Sequence, residues 1–171
     1  MTALKISHPI TLGDLELYPE GIRCELHQGA LYIMPPPIRW HSRVARCLAG
    51  VLERAGMTVH QRIRVMFSDN DMREPDVAVF KQKPGLERAF FPPQDFLILV
   101  EVVSKSSETM DRLAKPLHYA KAGVPEYWRV ERIPENIDDA LIHQHKLSAE
   151  GAYVEIGAVR LSELAAGVTP P

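Results

Sequence analysis

Asp76 and Glu101 are acidic residues set into two of the most apolar stretches of this 171-residue chain. Asp76 follows Arg73-Glu74-Pro75 and opens onto Val77-Ala78-Val79-Phe80. Glu101 sits late in the run Phe96-Leu97-Ile98-Leu99-Val100, ahead of Val102-Val103-Ser104. A buried carboxylate without a partner costs several kcal/mol, so each must meet a cation or a set of donors. Two of them on neighbouring strands repel unless a metal ion, a lysine or an arginine lies between. Magnesium and manganese take oxygen ligands and keep several waters, so two carboxylates and a backbone carbonyl make an adequate protein share. Such an ion polarises a phosphoryl oxygen and acidifies water. Spacing alone leaves the alternative open, in which one carboxylate caps a turn and the other pairs with an arginine.

The elements that must position these residues follow from periodicity and turn chemistry. Thr11 is placed to cap a short helix over 12–15 that ends near Pro19 and Gly21. Residues 22–27 and 30–34 flank Gln28-Gly29 as a hairpin, stopped by Pro35-Pro36-Pro37. Val44, Leu48, Val51, Leu52 and Ala55 keep helical spacing from His41 to Gly56. Residues 59–67 are expected as one strand, a strand that begins at Asp76 directly after Pro75 and ends at Phe80 as the next, and 96–103 as a central strand covered on both faces. A helix is expected over 111–122, with Pro116 able to delay or kink its start. A strand over 126–131, a hairpin of 140–147 with 152–156, and a short helix over 162–166 complete the chain. This order describes an α/β fold, a mixed central sheet flanked by helices, in a single domain spanning 1–171.

The totals narrow the class. Net charge is only -2, so overall electrostatics favour no polyanionic partner. The distribution is uneven: residues 39–73 carry Arg39, Arg43, Arg46, Arg54, Arg62, Arg64 and Arg73 against three acids, a local surplus of +4. Cys24 and Cys47 lack zinc-type spacing and are too few for a disulfide framework. No signal-peptide pattern and no membrane-length apolar run occur, so a cytoplasmic protein without a membrane partner is expected. His143 and His145 share a face of a predicted strand and could chelate zinc, but no third ligand has motif spacing; an exposed polar pair is the plainer reading.

The ordered set Pro75-Asp76, Glu101-Val102-Val103-Ser104, Asp111, Lys115, Tyr119, Ala122-Gly123-Val124 and Glu126-Tyr127-Trp128 resembles the Uma-two family of restriction-endonuclease-like proteins. That family lies in the PD-(D/E)XK nuclease-like superfamily. Cys24-Glu25-Leu26, Gly29, Met34-Pro35 and His41 also resemble its N-terminal signature, and the likeness runs from about residue 11 to 165. The resemblance implies the restriction-endonuclease-like fold and magnesium-dependent cleavage of a nucleic-acid phosphodiester, DNA foremost, with manganese able to substitute. It implies Asp76 and Glu101 as metal ligands and the Val102 carbonyl as a third donor. Glu25 and His41 are then expected to line the cleft, and Ser104 and Asp111 to support the ligands from behind or cap a helix.

One position departs from the superfamily pattern. The lysine expected two residues after the acidic one is Val103, which projects to the same face as Glu101 but brings no charge. Lys115 is the candidate replacement, because the family pattern places a lysine on the following helix. Read without the resemblance, Lys115 is simply the i+4 partner of Asp111 in a weak surface ion pair. Tyr119, Tyr127 and Trp128 read as core aromatics. A homodimer is an expectation from the two-fold symmetry of a duplex, not from any residue. The other class of function that fits is a catalytically silent relative using the same fold to bind nucleic acid or a protein.

Overall fold

The computed structural model describes residues 2–3, 9–18, 21–105 and 107–167. The strands are β1 (Thr2–Ala3), β2 (Cys24–His27), β3 (Ala30–Ile33), β4 (Thr58–Gln61), β5 (Arg64–Ser68) and β6 (Asp71–Arg73). They continue as β7 (Val77–Phe80), β8 (Phe90–Phe91), β9 (Phe96–Val102), β10 (Glu126–Ile133), β11 (Asn136–Leu147) and β12 (Tyr153–Arg160). The helices are α1 (Arg39–Arg54), α2 (Lys115–Lys121) and α3 (Leu161–Ala165).

The strands form two mixed sheets where the sequence suggested one. Sheet A has the order β1-β3-β2-β6-β5-β8 and sheet B the order β12-β11-β10-β9-β7-β4. Each contains one parallel pair, β5 with β8 and β9 with β10. The stretch expected as a single strand over 59–67 is β4 in sheet B followed by β5 in sheet A. The break falls at Arg62, whose φ of 53° is left-handed and turns the chain out of the first sheet. The strand expected from Asp76 to Phe80 is β7 in sheet B (Val77–Phe80), and Glu74-Pro75-Asp76 is the crossing to it from β6 in sheet A. Pro75 has no N–H to give a ladder, which suits a crossing and not a strand interior.

Alternation then assigns faces. On β7, Val77 and Val79 join the core beneath α1, whereas Ala78 and Phe80 join the core on the opposite face, with Leu99, Tyr119, Val124 and Tyr127. The apolar stripe of α1 (Val44, Ala45, Leu48, Ala49, Val51 and Leu52) is buried against sheet B, and Gly56 at φ 85° closes that segment. On β2, Cys24 and Leu26 face a third core with Ile10, Leu15, Leu31 and Met72. Glu25 must therefore project from the other side of sheet A.

Two local expectations change. Thr11 does not cap a helix; its N–H and hydroxyl both donate to the Asp14 carboxylate ahead of a 3-10 turn at Gly13–Leu17. Pro19 lies outside the described residues. The helix expected over 111–122 begins as a π-turn, Met110–Ala114, before α2. There the Lys115 N–H bonds to the Met110 carbonyl, and Pro116 has no N–H to offer Asp111. The orphaned Asp111 carbonyl accepts the Tyr127 hydroxyl instead.

Candidate active site

The sheet crossing, the end of β9 and the start of α2 converge on one cleft of about 740 Å³. Asp76 stands one residue before β7, its backbone N–H held by the Val100 carbonyl at 3.1 Å. Its Oδ2 accepts the Val102 N–H at 2.9 Å and lies 3.0 Å from His41 Nε2, while Oδ1 lies 3.3 Å from Arg23 Nη2. Glu101 points from the β9 face shared with Leu99. Its Oε1 accepts the Tyr119 hydroxyl at 2.7 Å and its Oε2 lies 3.0 Å from Lys115 Nζ.

Lys115 is the hub. Its ammonium also lies 3.0 Å from Glu25 Oε1 and 3.4 Å from Asp111 Oδ1, and the residue is only 3% exposed. The Asp111 contact is the i+4 pair anticipated from sequence, but buried and shared with two other carboxylates. The π-turn and α2 carry both partners. Behind Lys115, Glu25 Oε2 meets His27 Nε2 at 2.9 Å, and Glu25 Oε1 accepts the Glu74 N–H at 3.3 Å.

Burial favours the uncharged form of every group here, and the outcome differs residue by residue. Burial would raise the Glu25 carboxyl, but Lys115 and His27 outweigh it and hold it at about 2. Burial would also raise Asp76, yet His41, the Val102 N–H and Lys115 leave it below its ordinary value. Glu101 is pushed well up by burial; Lys115 opposes this, and Asp111, Asp76 and Glu25 reinforce it. Burial likewise raises Asp111 against the pull of Lys115. Burial would lower the Lys115 ammonium, but Glu101 and Glu25 override it and keep the charge.

Of the residues singled out by sequence, His41, Asp76, Glu101, Val102, Ser104, Asp111 and Lys115 all line this cleft. Glu25 does not. It is 1% exposed and sits behind Lys115, because strand alternation turns it into the space between sheet A and α2. Val103 lines the cleft too, and Lys115 brings an ammonium to the Glu101 carboxylate from another element. Ser104 and Ser107 hydroxyls are 2.8 Å apart, and Ser107 donates to Asp111 Oδ2, so a hydroxyl chain supports that carboxylate.

Sequence reasoning missed Arg23, His27, Ser107 and the polar role of Tyr119. Ser107, three residues past Ser104 and four before Asp111, carried a local signal, that of a turn hydroxyl, and His27 carried another, two residues from Glu25 on one face of β2. His143 and His145 lie 3.2 and 3.5 Å from the two oxygens of Glu155, away from the cleft.

No group of three or more His, Cys, Asp or Glu side chains among the described residues is set to hold a metal ion. The donor chemistry nevertheless suits a hard divalent cation. Glu25, Glu74, Asp76, Glu101 and Asp111 bring five carboxyls against the permanent cations Arg23 and Lys115, and Asp111 Oδ1 is buried with no hydrogen bond. A surplus of buried oxygen donors takes up protons or a cation.

Two sheets crossed by one chain segment, with an acid at the crossing, an acid on the adjacent strand and a lysine on the next helix, define a mixed α/β fold of the restriction-endonuclease-like type. A crystal structure titled a "putative nuclease belonging to DUF820" from Anabaena variabilis superposes with a TM-score of 0.59 at 17% identity. The match covers 94% of this chain and 100% of that one. The chain belongs to the Uma2 family, described as "Putative restriction endonuclease", which matches residues 12–167. None of the curated proteins compared with the sequence matches it.

Proposed function

We propose that this protein is a metal-dependent nuclease that hydrolyses phosphodiester bonds, with DNA as the substrate. The observation that carries the reading is the meeting of Asp76, Glu101 and Lys115 in one cleft from three elements. Asp76 and Glu101 would hold magnesium, or manganese in its place, with the Val102 carbonyl as a further donor. The ion, when bound, supplies positive charge at a phosphoryl oxygen and makes water more acidic. Lys115, braced by Glu25 and Asp111, offsets the negative charge that grows on the phosphoryl oxygens. Tyr119 fixes the orientation of the Glu101 carboxyl through its hydroxyl, and the Ser107 hydroxyl does the same for Asp111.

A second reading rests on a specific observation: every oxygen of Asp76 and Glu101 already has a partner within the protein. A silent binding module would keep these clamps closed. Cleavage of supercoiled, linear and single-stranded DNA with magnesium or manganese separates the two. The nuclease reading expects cutting by the wild type and none by Asp76→Asn or Glu101→Gln. Lys115→Arg should retain part of the activity, and Lys115→Met should lose about 10²–10³-fold. A folded wild type that cuts no substrate would leave the binding module standing.

A further inference from the structure

A second cavity, of about 230 Å³, opens beside the main cleft and is lined by Arg23, Gln61, Arg62, Arg64 and Glu74. Arg23 and Glu74 line both spaces, so the two adjoin across one guanidinium and one carboxylate. Three guanidiniums and one acid line it, and Arg23 is already engaged, its Nε donating to Glu74 Oε1 at 3.0 Å and its Nη2 to Asp76 Oδ1 at 3.3 Å, which leaves Arg62 and Arg64 as the surplus charge. Arg64 is steadied by the Ile22 carbonyl, 3.5 Å from its Nη2, and by the Phe90 ring, 5.7 Å from its guanidinium carbon. Arg62 makes no side-chain hydrogen bond or ion pair among the described residues.

Arg62 is also one of two non-glycine residues with positive φ among the described residues, at 53°. Side chains with a Cβ rarely adopt this conformation, and it persists here because the chain changes sheets at this point. Its N–H reaches the Asp76 carbonyl at 3.4 Å, so the unpaired guanidinium belongs to a residue joined directly to the backbone of a proposed metal ligand. The main cleft is lined by six carboxyls, Glu74, Asp76, Glu101, Glu108, Asp111 and Glu131, against five lysines and arginines, so it offers a polyanion no net positive charge. A strand entering it needs a positive foothold close by, and planar guanidiniums match phosphate oxygens.

We propose that the Arg23–Arg62–Arg64 cavity binds an internal phosphodiester group of the nucleic-acid strand, adjacent to the phosphodiester in the main cleft. This assignment rests on nucleic acid being the ligand of that cleft. It fixes the path of the strand, from the main cleft past Arg23 and along the switch between β4 and β5. It also absorbs two of the seven arginines in the basic 39–73 segment, Arg62 and Arg64.

The test is the salt dependence of binding, in EDTA, of oligonucleotides that lack terminal phosphates. Wild type is compared with Arg62→Gly, Arg62→Lys and Arg64→Gln. Glycine accepts the left-handed backbone, so Arg62→Gly removes the guanidinium without endangering the fold. The slope of log affinity against log salt should fall in magnitude by about 0.7–0.9 in Arg62→Gly, the loss of one phosphate contact. Arg64→Gln should lower it similarly, and Arg62→Lys should restore the wild-type slope. Unchanged slopes in both Arg62→Gly and Arg64→Gln, or a wild type that binds no strand, would overturn the proposal. EDTA removes cleavage from this measurement. A slope that falls in a protein that never cuts would keep the cavity and discard the nuclease, and cutting with unmoved slopes would do the reverse.

Discussion

Among the described residues, Lys115 is the only permanent cation paired with Glu25, Glu101 and Asp111. Removing it strands three buried carboxyls, so Lys115→Met should lower stability by about 3–5 kcal/mol near neutral pH, measured by urea unfolding. The same contact makes Glu25 a pH-dependent stabiliser. Its carboxyl lies at about 2 in the folded chain, below the ordinary 4.5. Stabilisation from an acid depressed in this way is complete above the unfolded value and is lost as pH falls from there toward the folded one. Glu25→Gln should therefore be less stable than wild type at about pH 7, and the gap should close as pH is lowered to about 2–3. A gap that stays constant would mean that Glu25 is not ionised in the fold. Asp76, Glu101 and Lys115 were legible as a set because their order along the chain carries a family pattern. Arg23 and Tyr119 were not, since nothing local distinguishes a structural arginine or tyrosine from one folded against a carboxylate 18 to 53 residues away; His27 meets Glu25 only two residues along the same strand, and strand alternation alone would have put the two on one face.

Among the elements, the hairpin of β2 and β3 came through from sequence because a two-residue Gln-Gly turn leaves few alternatives. Gln28 and Gly29 both have positive φ, at 51° and 86°, and His27 pairs with Ala30 across them. Gly29 is constrained twice over, because a Cβ there would lie 2.6 Å from the Pro9 Cβ. Gly29→Ala should lose about 2 kcal/mol or more, read as a lower denaturation midpoint with an unchanged urea m-value. The switch of sheets at Arg62 was not legible. The residues from Val59 to Phe67 alternate well enough for one strand, and pattern says which face is apolar but not which sheet receives it. The π-turn was only half visible, as a proline near a helix start. Its consequence, a carbonyl handed to Tyr127, depends on a strand that comes later in the chain.

At the scale of the whole molecule, the site is a join between sheets, with Glu25 from sheet A and Glu101 from sheet B held by one ammonium. No helix among the described residues is long and apolar enough to cross a membrane. A ligand that binds only the joined state stabilises it. Manganese at a hundred-fold excess over its dissociation constant should contribute about 2.7 kcal/mol, a rise in Tm of several degrees. Asp76→Asn and Glu101→Gln should abolish that rise, and a rise that survives both places the ion elsewhere. The general architecture was readable because apolar periodicity and turn residues report on it directly. The division into two sheets was not, since it is settled by contacts between distant segments.

The cleft draws on residues from Arg23 to Arg132, and β9, which carries Glu101, pairs in parallel with β10, which follows α2. Parallel strands need a crossover before they can meet, so this pair forms only after the intervening helix exists. During synthesis the acids at 76 and 101 leave the ribosome well before Lys115 and the wall at Glu131 and Arg132. A nascent chain halted short of Lys115 therefore holds the carboxylates without their counter-ion, and one halted short of β10 lacks an enclosed cleft. The fold delays the site until nearly all of its framework has been made.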